Sequence, residues 1–207
     1  MQLLDIFKEM SDIDSSTNDC ESFEEDLKKS NNLLIDKINI ILTSLLEENK
    51  FNKNYKEKIG KQKKIIFYSN EIPSISIKDY LNRILSFTDI EDNTLILSLI
   101  YIDKICEKNS IILSEHNIHR ILFSSILISI KFNEDIYYKN KFYAKVAGVS
   151  VKELKKMESE FLRLIDFDLC VNDNLFEKYK KFINKINSIN TKKKIKKKNI
   201  LCNDNNL

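Results

Sequence analysis

Lys131 and Glu158 are the two side chains least explained by a self-contained core. Lys131 closes the almost wholly apolar run HRILFSSILISIK, and Glu158 falls among Leu154, Phe161 and Ile165 in KELKKMESEFLRLI. At about 100° per residue those four positions share an arc of about 60°, so the carboxylate lies on the apolar stripe of its own helix. An ion placed there costs free energy unless something pairs with it. The chemistry this pattern offers is recognition: both groups, at an exposed groove between helix ends, would reach the backbone polar groups of a docked helix. A bridge between the two residues is the alternative. Asp103 is a third embedded ion, flanked by Ile96, Leu99, Ile100 and Cys106. It is expected to be architectural, with Arg83 or Arg120 as counter-ion.

Catalysis has no comparable signature. The sequence contains no P-loop, G-x-S-x-G, H-E-x-x-H or dinucleotide fingerprint, and its two glycines cannot line a phosphate cradle. A non-catalytic protein with no cofactor and no small-molecule ligand is expected. His116 and His119 have a chelating spacing, but no cysteine or third ligand is near, so no metal site is assigned. Cys20, Cys106, Cys170 and Cys202 lie far apart without C-x-x-C pairing, as in reduced, intracellular proteins of the nucleus or cytoplasm. The longest apolar runs, Leu95 to Ile102 and Ile121 to Ile130, fall short of the ~20 residues that span a bilayer. The opening MQLLDIFKEM does not read as a signal peptide, and a soluble chain is expected.

The elements that must hold these charges are helices. With only Gly60, Gly148 and Pro73 as strict turn formers among 207 residues, tight hairpins are hard to build and an all-α fold is expected. Residues 1–21 are polar and aperiodic and read as disordered. From Phe23 to Leu46, the residues Leu27, Leu34, Ile38, Ile41 and Leu45 form one stripe, which fits a helix lying across its own domain or a coiled-coil contact. Residues 22–72 thus comprise an N-terminal helix and a charged linker, the linker from residue 47.

Five helices are predicted over 73–171. The first opens at the capping box Ser76/Asp79 and runs to about Phe87; the second begins at Asp92 or Asn93 and is apolar all round. A third spans about Asn117 to Phe132, and a short fourth runs from about Lys141 to Ala147 and ends at Gly148. The fifth follows the capping box Ser150/Glu153 and reaches Ile165. A sixth begins near Asn174, within a C-terminal helical segment 172–190, and carries Phe176, Tyr179, Ile183 and Ile186 on one face.

The formal charge of +3 is unevenly spread. The tail 191–207 contains KKKIKKK, and without its six charges the remainder is at −3, so the body is not a nucleic-acid surface. Lys192, Lys193, Lys194, Lys196, Lys197 and Lys198 form a candidate nuclear import signal; nonspecific polyanion contact or a solvated tail are the alternatives.

Taken in order, IPSISIKDYLNRI, LIYIDKI, HRILFSSILISIKFNEDIYYKNKFYAKVAGVS and KELKKMESEFLRLIDFDL resemble the cyclin box. The YY, YAKV and GVS elements are most similar to the P/U-type cyclins of the phosphate-regulatory branch, over about Leu33 to Tyr179. Departures are Lys104 for arginine, Glu134 for aspartate and Ala147 for glycine. The resemblance implies a single five-helix box with flanking helices and a regulatory subunit that binds and activates a cyclin-dependent protein kinase as a heterodimer. The positions matching Lys131 and Glu158 grip the kinase beside its C helix. Phe132, Ile136, Tyr137, Tyr138 and Tyr143 are assigned to the apolar and aromatic contacts around them, with core packing as the alternative for the tyrosines. The rival reading is a cyclin-fold transcription-associated protein that tethers nucleic acid. Such proteins use paired repeats and a basic face, whereas one repeat and an acidic body are read here.

Overall fold

The computed structural model describes residues 23–52 and 54–186, with side chains from residue 33 onward. The polar start 1–21 and the whole tail 191–207, with its import-signal lysines, lie outside the described residues. Along the chain come α1 (Phe23–Lys50), α2 (Tyr55–Gln62) and α3 (Ile77–Phe87). They are followed by α4 (Asp92–Asn109), α5 (Ile118–Asn133), α6 (Asn140–Ala147) and α7 (Val151–Leu164). Residues 173–186 form α8. Among the described residues no strand occurs, as the scarcity of turn formers requires.

A helix that is apolar all round must be enclosed all round. α4 and α5 therefore pack along each other at the centre, burying Leu95, Leu99, Ile102 and Ile105 against Ile121, Leu122, Phe123 and Ile126. Burying one such aliphatic side chain is worth about 1.5–3 kcal/mol relative to exposure. α3, α6 and α7 complete the five-helix domain. Phe161 of α7 is fully buried and meets Phe67 edge-on, with ring centroids 6.2 Å apart. Both predicted serine caps form: Ser76 Oγ accepts from Asp79 N at 3.0 Å and Ser150 Oγ from Glu153 N at 3.1 Å. Gly148 ends α6 at φ 75°, a left-handed conformation that a side chain would strain.

α1 lies across the domain. Leu34, Ile38, Ile41 and Leu45 of the predicted stripe are all buried, together with Ile35, Leu42 and Leu46, and α1 packs on α3. Asn49 Nδ2 donates to Leu113 O at 3.0 Å, which fastens its C-terminal end. The expected linker 47–71 differs from the structure, because α1 continues to Lys50 and α2 occupies its middle. α2 offers the core only Ile59 and Gln62, too little for a periodic signal, and is held by tertiary contact. The segment after it is tied down by backbone carbonyls: Arg120 Nη1 donates to Ile66 O at 3.0 Å, and His116 Nδ1 meets Ser69 O at 2.9 Å.

The charge assignment for Asp103 requires correction. Asp103 is 4% exposed, but its Oδ2 accepts from the Tyr179 hydroxyl of α8 at 2.6 Å. Neither arginine is its partner. Arg83 is exposed and donates to Lys145 O at 3.1 Å, while Arg120 pairs with Glu153 at 2.6 Å. Sequence separation hid this contact, since α8 folds back onto α4 from 76 residues away.

His119 also faces a carbonyl, that of Ile75 at 2.9 Å from Nε2, so Nε2 carries the proton of the neutral ring. Its Nδ1 is buried without a partner among the described residues, and burial lowers the pKa. Between that lowered value and about 6.5 the unfolded chain takes up a proton that the folded ring refuses, so stability falls as pH drops through this window. His119→Gln should therefore lose less stability than the wild type between pH 7 and pH 5.5. Urea midpoints at the two pH values check this, and equal losses would contradict it.

Candidate functional site

The C-terminal end of α5, the segment 134–139, the start of α6 and the middle of α7 converge on one surface. Lys131, in the last turn of α5, points its ammonium at Glu158 Oε1 at 2.6 Å and at Asn140 Oδ1 at 2.7 Å. Asn140 closes the ring by donating Nδ2 to Glu158 Oε2 at 3.0 Å. The two ions are thus compensated by each other and by an amide, which corrects the expectation that they stand unpaired. They are not sealed in: the side chains of Lys131 and Glu158 remain 22% and 18% exposed. The ammonium uses two of its three hydrogens in these contacts, and each carboxylate oxygen has a further lone-pair direction. The triad is stable alone and still able to bond a visitor.

Around it the surface is apolar where a monomer would be polar. Phe132 and Tyr137 are about half exposed, Tyr138 likewise, and Ile136 is 90% exposed. Such a cluster beside a half-buried ion pair has the composition of an interface centre. The segment carrying it is fixed at both ends. At the α5 end, Glu134 Oε1 accepts from Thr94 Oγ1 at 2.5 Å, and Asn133 Nδ2 donates to the same hydroxyl at 2.8 Å. At the α6 end, the Tyr138 ring packs on Phe142 with centroids 4.3 Å apart, and Tyr138 N donates to the Tyr143 hydroxyl at 3.2 Å.

Tyr143 therefore does not share the surface with the other tyrosines. It is 2% exposed and acts from beneath, and burial raises its hydroxyl pKa. Tyr143→Phe keeps the ring and removes the support for Tyr138. Stability should change by about 1 kcal/mol, while trypsin or chymotrypsin cleavage within 135–141 should accelerate; unchanged cleavage would contradict the bracing role.

Two residues were missed from sequence. Asn140, at the first position of α6, has a polar side chain that periodicity treats as solvent facing. Phe167 follows α7 and is 69% exposed. It and Asp166 both have positive φ, 55° and 56°, uncommon for residues with side chains. α4 holds this turn in place: Lys104 Nζ reaches Asp168 O at 3.1 Å and Cys170 O at 3.0 Å, and Lys108 pairs with Asp166 at 2.6 Å. A strained turn just past the helix that carries Glu158 thus presents an exposed aromatic ring, a further candidate contact.

A model of the cyclin family matches residues 11–169. Cyclin-U2-2 of Arabidopsis thaliana is 40% identical over 115 residues, covering 55% of this chain and 50% of that protein. Cyclin-U4-1 of the same plant is 30% identical over 155 residues, 73% of this chain and 77% of its own length. PHO85 cyclin-7 of Saccharomyces cerevisiae is 34% identical over 127 residues, 56% of this chain and 45% of that protein. The match to cyclin-U2-2 thus spans about half the length of that relative.

Proposed function

Because the chain belongs to the cyclin family and is similar to U-type members and to a PHO85 cyclin, we propose that it is the non-catalytic subunit of a heterodimer with a cyclin-dependent serine/threonine kinase. The observation that carries this reading is the partly buried ring of Lys131, Glu158 and Asn140, framed by Phe132, Ile136, Tyr137 and Tyr138. The apolar residues would bury the outer face of the kinase's C helix. The third ammonium hydrogen of Lys131 and the open lone pairs of Glu158 would take the helix's terminal backbone groups, which need partners wherever water is excluded.

The mechanism is positional. A rigid face pressed against a mobile helix favours the inward position, where the helix glutamate pairs with the β3 lysine and the activation loop is freed. No catalytic group of this chain enters the reaction. The rigidity comes from the flanking contacts: Thr94 clamps one end of the aromatic segment and Tyr143 the other.

Mixing the chain with a cyclin-dependent kinase from the same cell should raise phosphotransfer to a peptide substrate from near background, saturating at one chain per kinase. Tight binding without any gain in phosphotransfer would leave a partner but not an activator. Absence of binding to every such kinase would overturn the reading.

A further inference from the structure

Six lysines stand on the outer faces of α6 and α7 without a carboxylate to answer them. Lys139, Lys141, Lys145, Lys152, Lys155 and Lys156 are all exposed, and among the described residues none takes part in an ion pair. Between residues 139 and 156 the single acid is Glu153, which is committed to Arg120 at 2.6 Å. Arg83 adds a seventh exposed cation, held beside Lys145 by its bond to Lys145 O. The spacing follows from helix geometry: Lys141 and Lys145 are one turn apart on α6, and Lys152, Lys155 and Lys156 share one face of α7. Three residues, 148–150, join the two helices, which pack on each other, so the two rows of charge lie on neighbouring elements. Their repulsion is a standing cost that a chain with an acidic body need not carry.

We propose that this face docks an acidic, Asp/Glu-rich segment of the polypeptide substrates presented to the bound kinase. This rests on the kinase-subunit reading above. Charge complementarity requires an anion, and the arrangement of the lysines selects its kind. They are spread in rows over two helices and do not converge on one point, which suits a string of single charges better than one doubly charged phosphate. The outer positions of α6 and α7 also carry no exposed aromatic ring on which a base would stack, and lysine lacks the planar fork that reads nucleic-acid edges. The patch borders the aromatic segment, since Lys139 precedes Asn140 of the triad and Lys155 precedes Glu158 by one turn. A substrate held there lies beside the kinase without displacing it.

The test uses the full chain with its kinase and two substrate peptides that share one phosphoacceptor, one followed by a distal run of Asp and Glu, the other by Ser and Gly. The acidic peptide should have a KM lower by about tenfold at low salt, and the difference should shrink as ionic strength shortens the Debye length. Lys152→Glu/Lys155→Glu/Lys156→Glu should abolish the difference while leaving the neutral peptide's kinetics and the kinase titration unchanged. Equal KM values for the two peptides would overturn the proposal. So would a triple variant that loses kinase binding, which would make the lysines part of the kinase interface, or a single-stranded oligonucleotide that competes better than the acidic run. When no kinase is activated the peptide kinetics cannot be read, and only a lack of kinase binding refutes the subunit reading. In that case anisotropy of the labelled acidic peptide on the free chain still decides docking: salt-sensitive binding lost in the triple variant supports the acidic-segment face, and no binding overturns it.

Discussion

Glu158→Ala should weaken the complex with the kinase by about 2–4 kcal/mol, roughly 30- to 1,000-fold in Kd, because it strips one partner from a charged group that docking desolvates. The structure explains why the loss exceeds that of an ordinary surface ion pair. Lys131 would keep only its contact to Asn140, and Asn140 would lose the acceptor for its amide hydrogens. In the free chain water can reach both groups, so stability should fall by only about 1 kcal/mol. Lys131→Ala should behave similarly, since it leaves the Glu158 carboxylate facing a single amide. Titration of kinase activation against each variant, beside its thermal unfolding, separates the two effects. A variant that melts far below the wild type yet binds normally when folded would show that the ring is only architectural.

Tyr179→Phe should destabilise the chain by about 1–3 kcal/mol, although it deletes a single oxygen. That hydroxyl donates at 2.6 Å to a carboxylate that is 4% exposed, and short bonds to an ionised acceptor are the strong ones. Burial, with Asp103 beside it, pushes the Tyr179 hydroxyl far above its usual pKa, so it remains a donor at any working pH. The bond also fastens α8 to the central α4, with Ile183 and Ile186 buried alongside. Urea unfolding of the variant measures the cost, and an unchanged midpoint would remove α8 from the list of elements that hold the domain.

The helices that were legible in advance are those whose evidence is local. Ser76 with Asp79, Ser150 with Glu153, and Gly148 marked their boundaries because a cap is a property of four adjacent residues. The apolar runs of α4 and α5 announced a buried pair for the same reason. α2 was not legible, because its two inward residues form no stripe and its helicity depends on the surface beneath it. At the site, the apolar stripe of α7 singles out Glu158, and the apolar run of α5 singles out Lys131 at its end. Their pairing was not legible, since a stripe on one helix holds no information that α5 and α7 bring the two groups to 2.6 Å. For Asp103, charge alone pointed to Arg83 or Arg120, whereas both arginines bond elsewhere and the Tyr179 hydroxyl is one of its partners. Tyr143, grouped with its neighbours by sequence, faces the opposite way from Tyr137 because α6 begins between them.

The most direct test exchanges the charges. Lys131→Glu combined with Glu158→Lys re-forms an ion pair inside the free chain but reverses the face shown to a partner. The double variant should unfold near the wild-type temperature and still fail to bind or activate the kinase. Recovery of binding together with stability would mean that the pair serves only as an internal bridge.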